Sequence, residues 1–258
     1  SNYYQLLLMR RIGLISDQEF LDKLSVAYEQ YSREYDRIGL SVRAAREIPG
    51  ARGYVFSAEM LTACMLDLRL RAMSPRISSL DQVMAALAQR FHGDNNVFSA
   101  AQFFELTDTL SGQYLMPFVD SCINIRNKMD LPGMLEKFGA KLEVIPGGKI
   151  DIGAAFSSFR DLTLDFVQRG GPASDAGLEE GDVIIKADGK TYKSVNPLVE
   201  YLNTKKAGDK VKVDYRRGKE LYETELVLDA SDVYRAKMME SPSKIQQARW
   251  ERYVSPLE

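Results

Sequence analysis

Cysteine and histidine are nearly missing from this chain, with two of the first and one of the second in 258 residues. Cys64 lies in "MLTACMLDL" and Cys122 in "FVDSCINI", both apolar helical patterns, so two buried thiols are expected rather than a disulfide. No closely spaced Cys/His pair exists, so a zinc site built by this chain alone lacks its usual ligands. The single histidine, His92 in "QRFHGD", precedes a glycine that reads as a helix stop. A histidine there favours the negative end of the helix dipole. An excess of either charge is also lacking. The formal net charge is -2 and no Lys/Arg-rich run occurs, which leaves no electrostatic footprint for nucleic acid or an anionic membrane. No apolar run reaches the roughly 18 residues of a membrane span. The start shows no charged n-region, apolar stretch and small-residue cleavage site. The compartment stays open, because a leader already removed would have directed export to the periplasm or beyond.

What is present is the composition of a folded protein, 45% hydrophobic and 27% charged. The patterning predicts an α+β multidomain chain: a helical domain over residues 1–139, a β-rich domain over 140–230 and a helical tail over 231–258. In the first part "SDQE" at 16–19 is a Ser-x-x-Glu capping box that opens a long helix. After punctuation by Pro49, Gly50 and Gly53, "YVFSAEMLTACMLDLRLRAM" is apolar almost all round, as the central helix of a bundle is. Ser78 or Ser79 caps "LDQVMAALAQRFH", which Gly93 ends, and Ser99 with Gln102 forms another capping box. Phe91, Phe98, Phe103, Phe104 and Phe118 fall at helical spacing and read as core.

After "FGA" the period turns from helical to alternating. "KLEVI", "LTLDFV", "DVIIKAD", "KVKVDYR" and "YETELVL" read as strands, interrupted by a helix around "NPLVEYLNTKK". The segment "SDVYRAKMMESPSKIQQARWERYVSPLE" then reads as helix, with Trp250, Tyr253 and Val254 on one face.

"RGGPASDAGLEEGDVIIKADGK" resembles the bacterial PDZ pattern, in which Gly-Pro-Ala begins a short helix, Ala-Gly-Leu ends it and Gly-Asp-Val-Ile enters a strand. Gly177 fits a left-handed helix stop and Gly181 a tight turn. A PDZ domain adds an extended peptide as a strand to a sheet edge and captures its terminal carboxylate on backbone amides. The resemblance places those amides at Ile152, Gly153 and Ala154 in "IDIGAAF", and the opposite wall at Val195, Val199 and Leu202. The partner implied is a hydrophobic peptide or protein C-terminus. The alternative is that these residues are core and the groove is filled by this chain itself.

The opening "SNYYQLLLMRRIGLIS" has no cap and carries Tyr3, Tyr4, Leu6, Leu7, Leu8 and Met9 on several faces at once, so it expects cover on more than one side. That opening, the "DLRLR" helix, "SLDQVMAAL", "FGAKLE" and a terminal PDZ pattern together resemble the C-terminal half of the glycyl-aminopeptidase family of gluzincin metallopeptidases. The resemblance implies zinc in the parent protein, held by an upstream H-E-x-x-H helix and a glutamate just before Ser1, and a missing upstream half as partner. No cofactor is implied in this chain, which should be inactive alone. The family's oxyanion-stabilising tyrosine aligns with Phe56, and the lysine and glycine that follow it align with Ala58 and Glu59. Phenylalanine has no proton to give, and losing one oxyanion donor costs roughly 10²- to 10³-fold in rate. Tyr54 is the candidate substitute, although two helical residues turn it about 200° away. Two functions stay open: part of a zinc aminopeptidase, or a catalytically silent relative that binds or scaffolds peptides.

Overall fold

The computed structural model describes residues 2–48, 51–73, 79–91, 97–157 and 161–255. Pro49, Gly50, Ser78, His92 and Gly93, each given a role above, lie outside them. The chain divides into two compact units, Ser1–Glu143 with Tyr234–Glu258, and Val144–Val233.

The first unit is helical: α1 (Asn2–Arg11), α2 (Asp17–Ile38), α3 (Val42–Ala45), α4 (Arg52–Met73), α5 (Leu80–Arg90), α6 (Ala100–Ser111), α7 (Met116–Ile123) and α8 (Leu131–Glu136). Both expected capping boxes form. Ser16 accepts from the Glu19 amide at 3.2 Å while the Glu19 carboxylate accepts from the Ser16 amide at 2.7 Å, and Ser99 and Gln102 repeat the arrangement. Each box satisfies two amides that the first helical turn leaves without partners. Helix α4 is the axis: Ala58, Leu61, Cys64 and Leu68 are fully buried, and Met65 and Leu66 nearly so. Of the five phenylalanines expected in the core, Phe91, Phe103 and Phe118 only border it, Phe104 is half-buried and Phe98 is exposed. Phe103, Phe104 and Phe118 lie on α6 and α7, Phe91 just past the end of α5, and Phe98 ahead of α6.

The tail departs from expectation. Residues 229–238 are not helix but strand β8 (Asp229–Met238), which pairs with β1 (Ala140–Asp151), and helix begins only at α11 (Lys244–Val254). Ala, Lys and Met favour helix locally, but pairing with a strand some 90 residues earlier overrides that weak preference. Helix α11 opens on its own capping box, Ser243 with Gln246, and turns Trp250, Tyr253 and Val254 inward against Phe20 and Phe138.

A polar network ties the two ends of this unit together. The Tyr3 hydroxyl donates to Asp67 at 2.5 Å and lies 3.2 Å from the Tyr253 hydroxyl, and Asp67 also accepts from Arg71 at 3.0 Å and from the Leu80 amide at 2.8 Å. Asp81 accepts a two-pronged contact from Arg11 at 2.9 and 3.1 Å and a further bond from Arg71 at 2.8 Å. Burial opposes ionisation of Asp81, but the Arg11 hydrogen bonds and the charges of Arg11 and Arg71 outweigh it and lower its pKa. Burial pushes the Cys64 thiol up to about 12, so it is an inert core sulfur beside Tyr253.

The second unit holds β2 (Ala154–Phe156), β3 (Leu164–Val167), α9 (Pro172–Asp175), β4 (Val183–Ala187), β5 (Lys190–Thr191), α10 (Val195–Leu202), β6 (Lys210–Arg217) and β7 (Glu220–Val227). A four-stranded antiparallel sheet runs β5-β4-β6-β7, and β2 pairs with β3. Leu164, Ala173, Ile184, Leu198, Val211, Val213 and Leu226 form its core. Gly177 at φ +79° stops α9 and Gly181 at φ +91° makes the turn into β4, as their positions in the motif require.

Candidate functional site

The second unit exposes a backbone edge. Strand β2 has β3 as its only neighbour among the described residues. Ala154 faces Val167 and Ala155 faces Phe166, while the Gln168 amide donates to the Gly153 carbonyl at 2.7 Å and the Ser157 amide to Thr163 at 3.0 Å. Antiparallel strands alternate the side to which their backbone groups point. Gly153, Ala155 and Ser157 therefore serve β3, and the backbone groups of Ala154 and Phe156 face the unpaired edge.

The core of this unit contains an apolar cavity of about 20 Å³, lined by Ile152 and Phe156, by Leu198 and Leu202 of α10, and by residues such as Leu164 and Val213. Such a volume is close to the smallest that holds one water. The core is thus nearly filled by its own side chains. The three residues expected as the groove wall, Val195, Val199 and Leu202, differ in exposure. Val195 and Leu202 are buried at 8% and 6%, whereas Val199 is 39% exposed and lies on the flank. Leu198, 3% exposed, completes the inward face. The sequence carried the signal, since 195, 198 and 202 follow i, i+3, i+7 as legitimately as 195, 199 and 202 follow i, i+4, i+7.

Of the three proposed amides, one has a partner within the chain. The Gly153 N–H is already engaged, donating to the Asp151 carboxylate at 2.8 Å. The Ile152 carbonyl accepts from Ala173 at 2.9 Å. Gly153 is required here for a different close approach than a ligand's. Its φ is +64°, and a Cβ would stand 2.9 Å from the ring of Pro172 at the start of α9. Ile152 and Ala154 are half-buried against the core.

In the helical unit Phe56 is 51% exposed, at an apolar pocket of about 310 Å³ built from α1, α2 and α4. Leu6 and Met9, Val26 and Ala27, and Phe56 and Met60 give it its character. Val26 is itself 65% exposed. The first helix is therefore covered on one side only: Tyr3 and Leu7 are enclosed by this chain, while Leu8 is 44% exposed. Tyr54 does not substitute at Phe56. It lies within α4, 1% exposed, stacked on Tyr31 at 5.5 Å, with its hydroxyl donating to the Leu40 carbonyl at 3.2 Å. Among the described residues no group of three or more His, Cys, Asp or Glu side chains could hold a metal ion.

Residues 150–228 match the PDZ domain family model. The second unit contains a PDZ domain. A serine protease Do-like HtrA of Lactobacillus helveticus is 46% identical over 56 residues, 22% of this chain and 14% of that protein. The HtrA3 PDZ domain bound to a phage-derived ligand is 17% identical, with a TM-score of 0.25 over 37% of this chain and 92% of that one. An aminopeptidase N family protein from Idiomarina loihiensis shares the fold across 98% of this chain, with a TM-score of 0.72 at 20% identity. The chain spans about half the length of that structure, 47%. Helical unit and PDZ domain thus follow one another in a fold already seen in an aminopeptidase N family protein.

The PDZ domain's own motif supplies its main ion pair. Asp182, from "EEGDVII", is 1% exposed and accepts from the Arg217 guanidinium through two bonds of 2.8 Å and from the Glu179 amide at 2.8 Å. Burial would raise its pKa, but the Arg217 hydrogen bonds outweigh that and hold the carboxyl below the usual range. The pair fixes the turn from α9 into β4 against β6, and with it the frame that carries β2 and β3 through the Leu164–Asp182 and Ile184–Leu162 backbone bonds.

Proposed function

We propose that this chain is part of an aminopeptidase-like protein whose PDZ domain docks extended apolar peptide segments by adding them as a strand to β2. The observation that carries the reading is the unpaired edge at Ala154 and Phe156, beside an apolar floor to which the half-buried Ile152 and Phe156 contribute. Backbone bonding supplies affinity and the floor selects apolar side chains. Affinity in the micromolar range, about -8 kcal/mol, is expected. Titrating a fluorescein-labelled hydrophobic octapeptide and following anisotropy tests it. Saturable binding supports docking, and none up to about millimolar peptide refutes it.

In the same reading a zinc-bearing segment of the parent protein covers the α1–α2–α4 face, where Leu6, Met9, Val26 and Phe56 are gathered. A contiguous apolar surface of this kind is what an absent neighbour buries. Zinc, when bound by such a segment, would polarise a water for attack on a peptide bond.

A second reading, a catalytically silent relative that scaffolds peptides, is favoured by one observation. The ring at the expected oxyanion position is phenylalanine, and the hydroxyl of Tyr54, the candidate substitute, is committed to Leu40. Reading the coding sequence upstream of Ser1 separates the two: an intact H-E-x-x-H favours the enzyme, eroded ligands the scaffold.

A further inference from the structure

The loop that leads into β2 already holds a carboxylate, and it belongs to the protein. Asp151 takes the Gly153 amide at 2.8 Å, the middle one of the three amides that would otherwise meet a peptide's C-terminus. The loop is pinned around that bond. The Ile152 carbonyl is held by Ala173 at 2.9 Å, the Gly153 carbonyl by Gln168 at 2.7 Å, and Gly153 fits closely under Pro172. Turning the amide outward would break more than the Asp151 contact.

We propose that Asp151 is a specificity-determining residue that turns the PDZ domain away from free C-terminal carboxylates and toward internal, uncharged extended segments. The inference rests on the docking reading above and deepens it. A ligand carboxylate at this loop would lose one of its amides and would stand beside a fixed negative charge. Charge repulsion of this kind, at a few ångströms and in full solvent, is worth about five- to tenfold in affinity. An internal segment pays neither cost, because it needs only the Ala154 and Phe156 backbone groups.

The experiment uses the full chain and two fluorescein-labelled octapeptides of Ala and Val, identical but for a free acid or an amide at the C-terminus. The native protein is expected to bind the amide about tenfold more tightly than the acid. Asp151→Asn keeps an acceptor for Gly153 while removing the charge, and should bring the two within about twofold. Asp151→Ala also frees the amide and should reverse the order. Tighter binding of the acid by the native protein, or an acid-to-amide ratio that neither variant moves, overturns the proposal and leaves docking intact. If Asp151→Ala weakens both peptides equally through a disturbed loop, the Asp151→Asn ratio decides. Binding of neither peptide by any of the three proteins overturns docking itself, and this proposal with it.

Discussion

In the helical unit Asp67, Asp81, Arg11 and Arg71 lie inside, bonded to one another and to Tyr3, while Val26, Phe56 and Leu8 face solvent. In the PDZ domain the interior is apolar, the Asp182–Arg217 pair sits where α9 meets the sheet, and what faces out along β2 is backbone. The two units present partners with different physics. A surface of apolar side chains recruits a neighbour by burial, which is large but undirected. An open strand edge recruits by directed hydrogen bonds that any extended sequence can make, so its selectivity must come from the few side chains beside it. Permanent cover suits the first and a changing ligand suits the second.

That contrast breaks first where charge is buried. Asp67→Ala removes the acceptor of Tyr3, Arg71 and the Leu80 amide, and should destabilise the helical unit by about 4 kcal/mol in urea denaturation while leaving the PDZ transition in place. A loss below about 1 kcal/mol would mean that the network is ornament and packing alone holds α1 to α11. Arg217→Met leaves Asp182 buried without its partner. The PDZ transition should fall by about 3 kcal/mol, with the helical one unchanged.

Acid sharpens the comparison. Asp182 and Asp81 both have lowered pKa values in the folded chain. Their contribution is therefore present above the unfolded value of about 3.9 and is lost as pH falls below it through the folded values. Both transitions should weaken below about pH 4, and Asp182→Asn should reduce that pH dependence in the PDZ transition only, Asp188 keeping a part of it. The smallest effect is expected on the open face. Val26→Asp with Phe56→Ser should shift stability by no more than about 0.5 kcal/mol each, yet abolish binding of a fluorescent apolar dye. A loss of several kcal/mol would show that this face is core after all.

Local chemistry was the readable part of the sequence. The capping boxes at Ser16 and Ser99 and the turns at Gly177 and Gly181 depend on residues three or four apart, and all appear where expected. The Asp151–Gly153 bond is equally local, an Asp reaching two residues forward. It went unread because the glycine suggested a ligand rather than a turn. What the chain conceals is pairing at a distance. Tyr3, Asp67 and Tyr253 are 64 and 250 residues from one another in the bonds they make, and nothing in their neighbours announces it. Strand β8 is the same lesson, since "YRAKM" has helical preferences and only β1 makes it a strand. Helix α10 is legible in its apolar spacing, but that Leu198 is buried and Val199 exposed depends on how the helix rotates against the sheet.

The central claim is that the unpaired side of β2 receives an extended segment. Titrating the chain, labelled with ¹⁵N, with an amidated Ala/Val octapeptide reads the claim at single amides. The account predicts saturable shifts of the Ala154 and Phe156 amides with little change at Ala155, whose backbone already serves β3. Saturation in which Ala154 and Phe156 stay still, or no saturation at all, would contradict it.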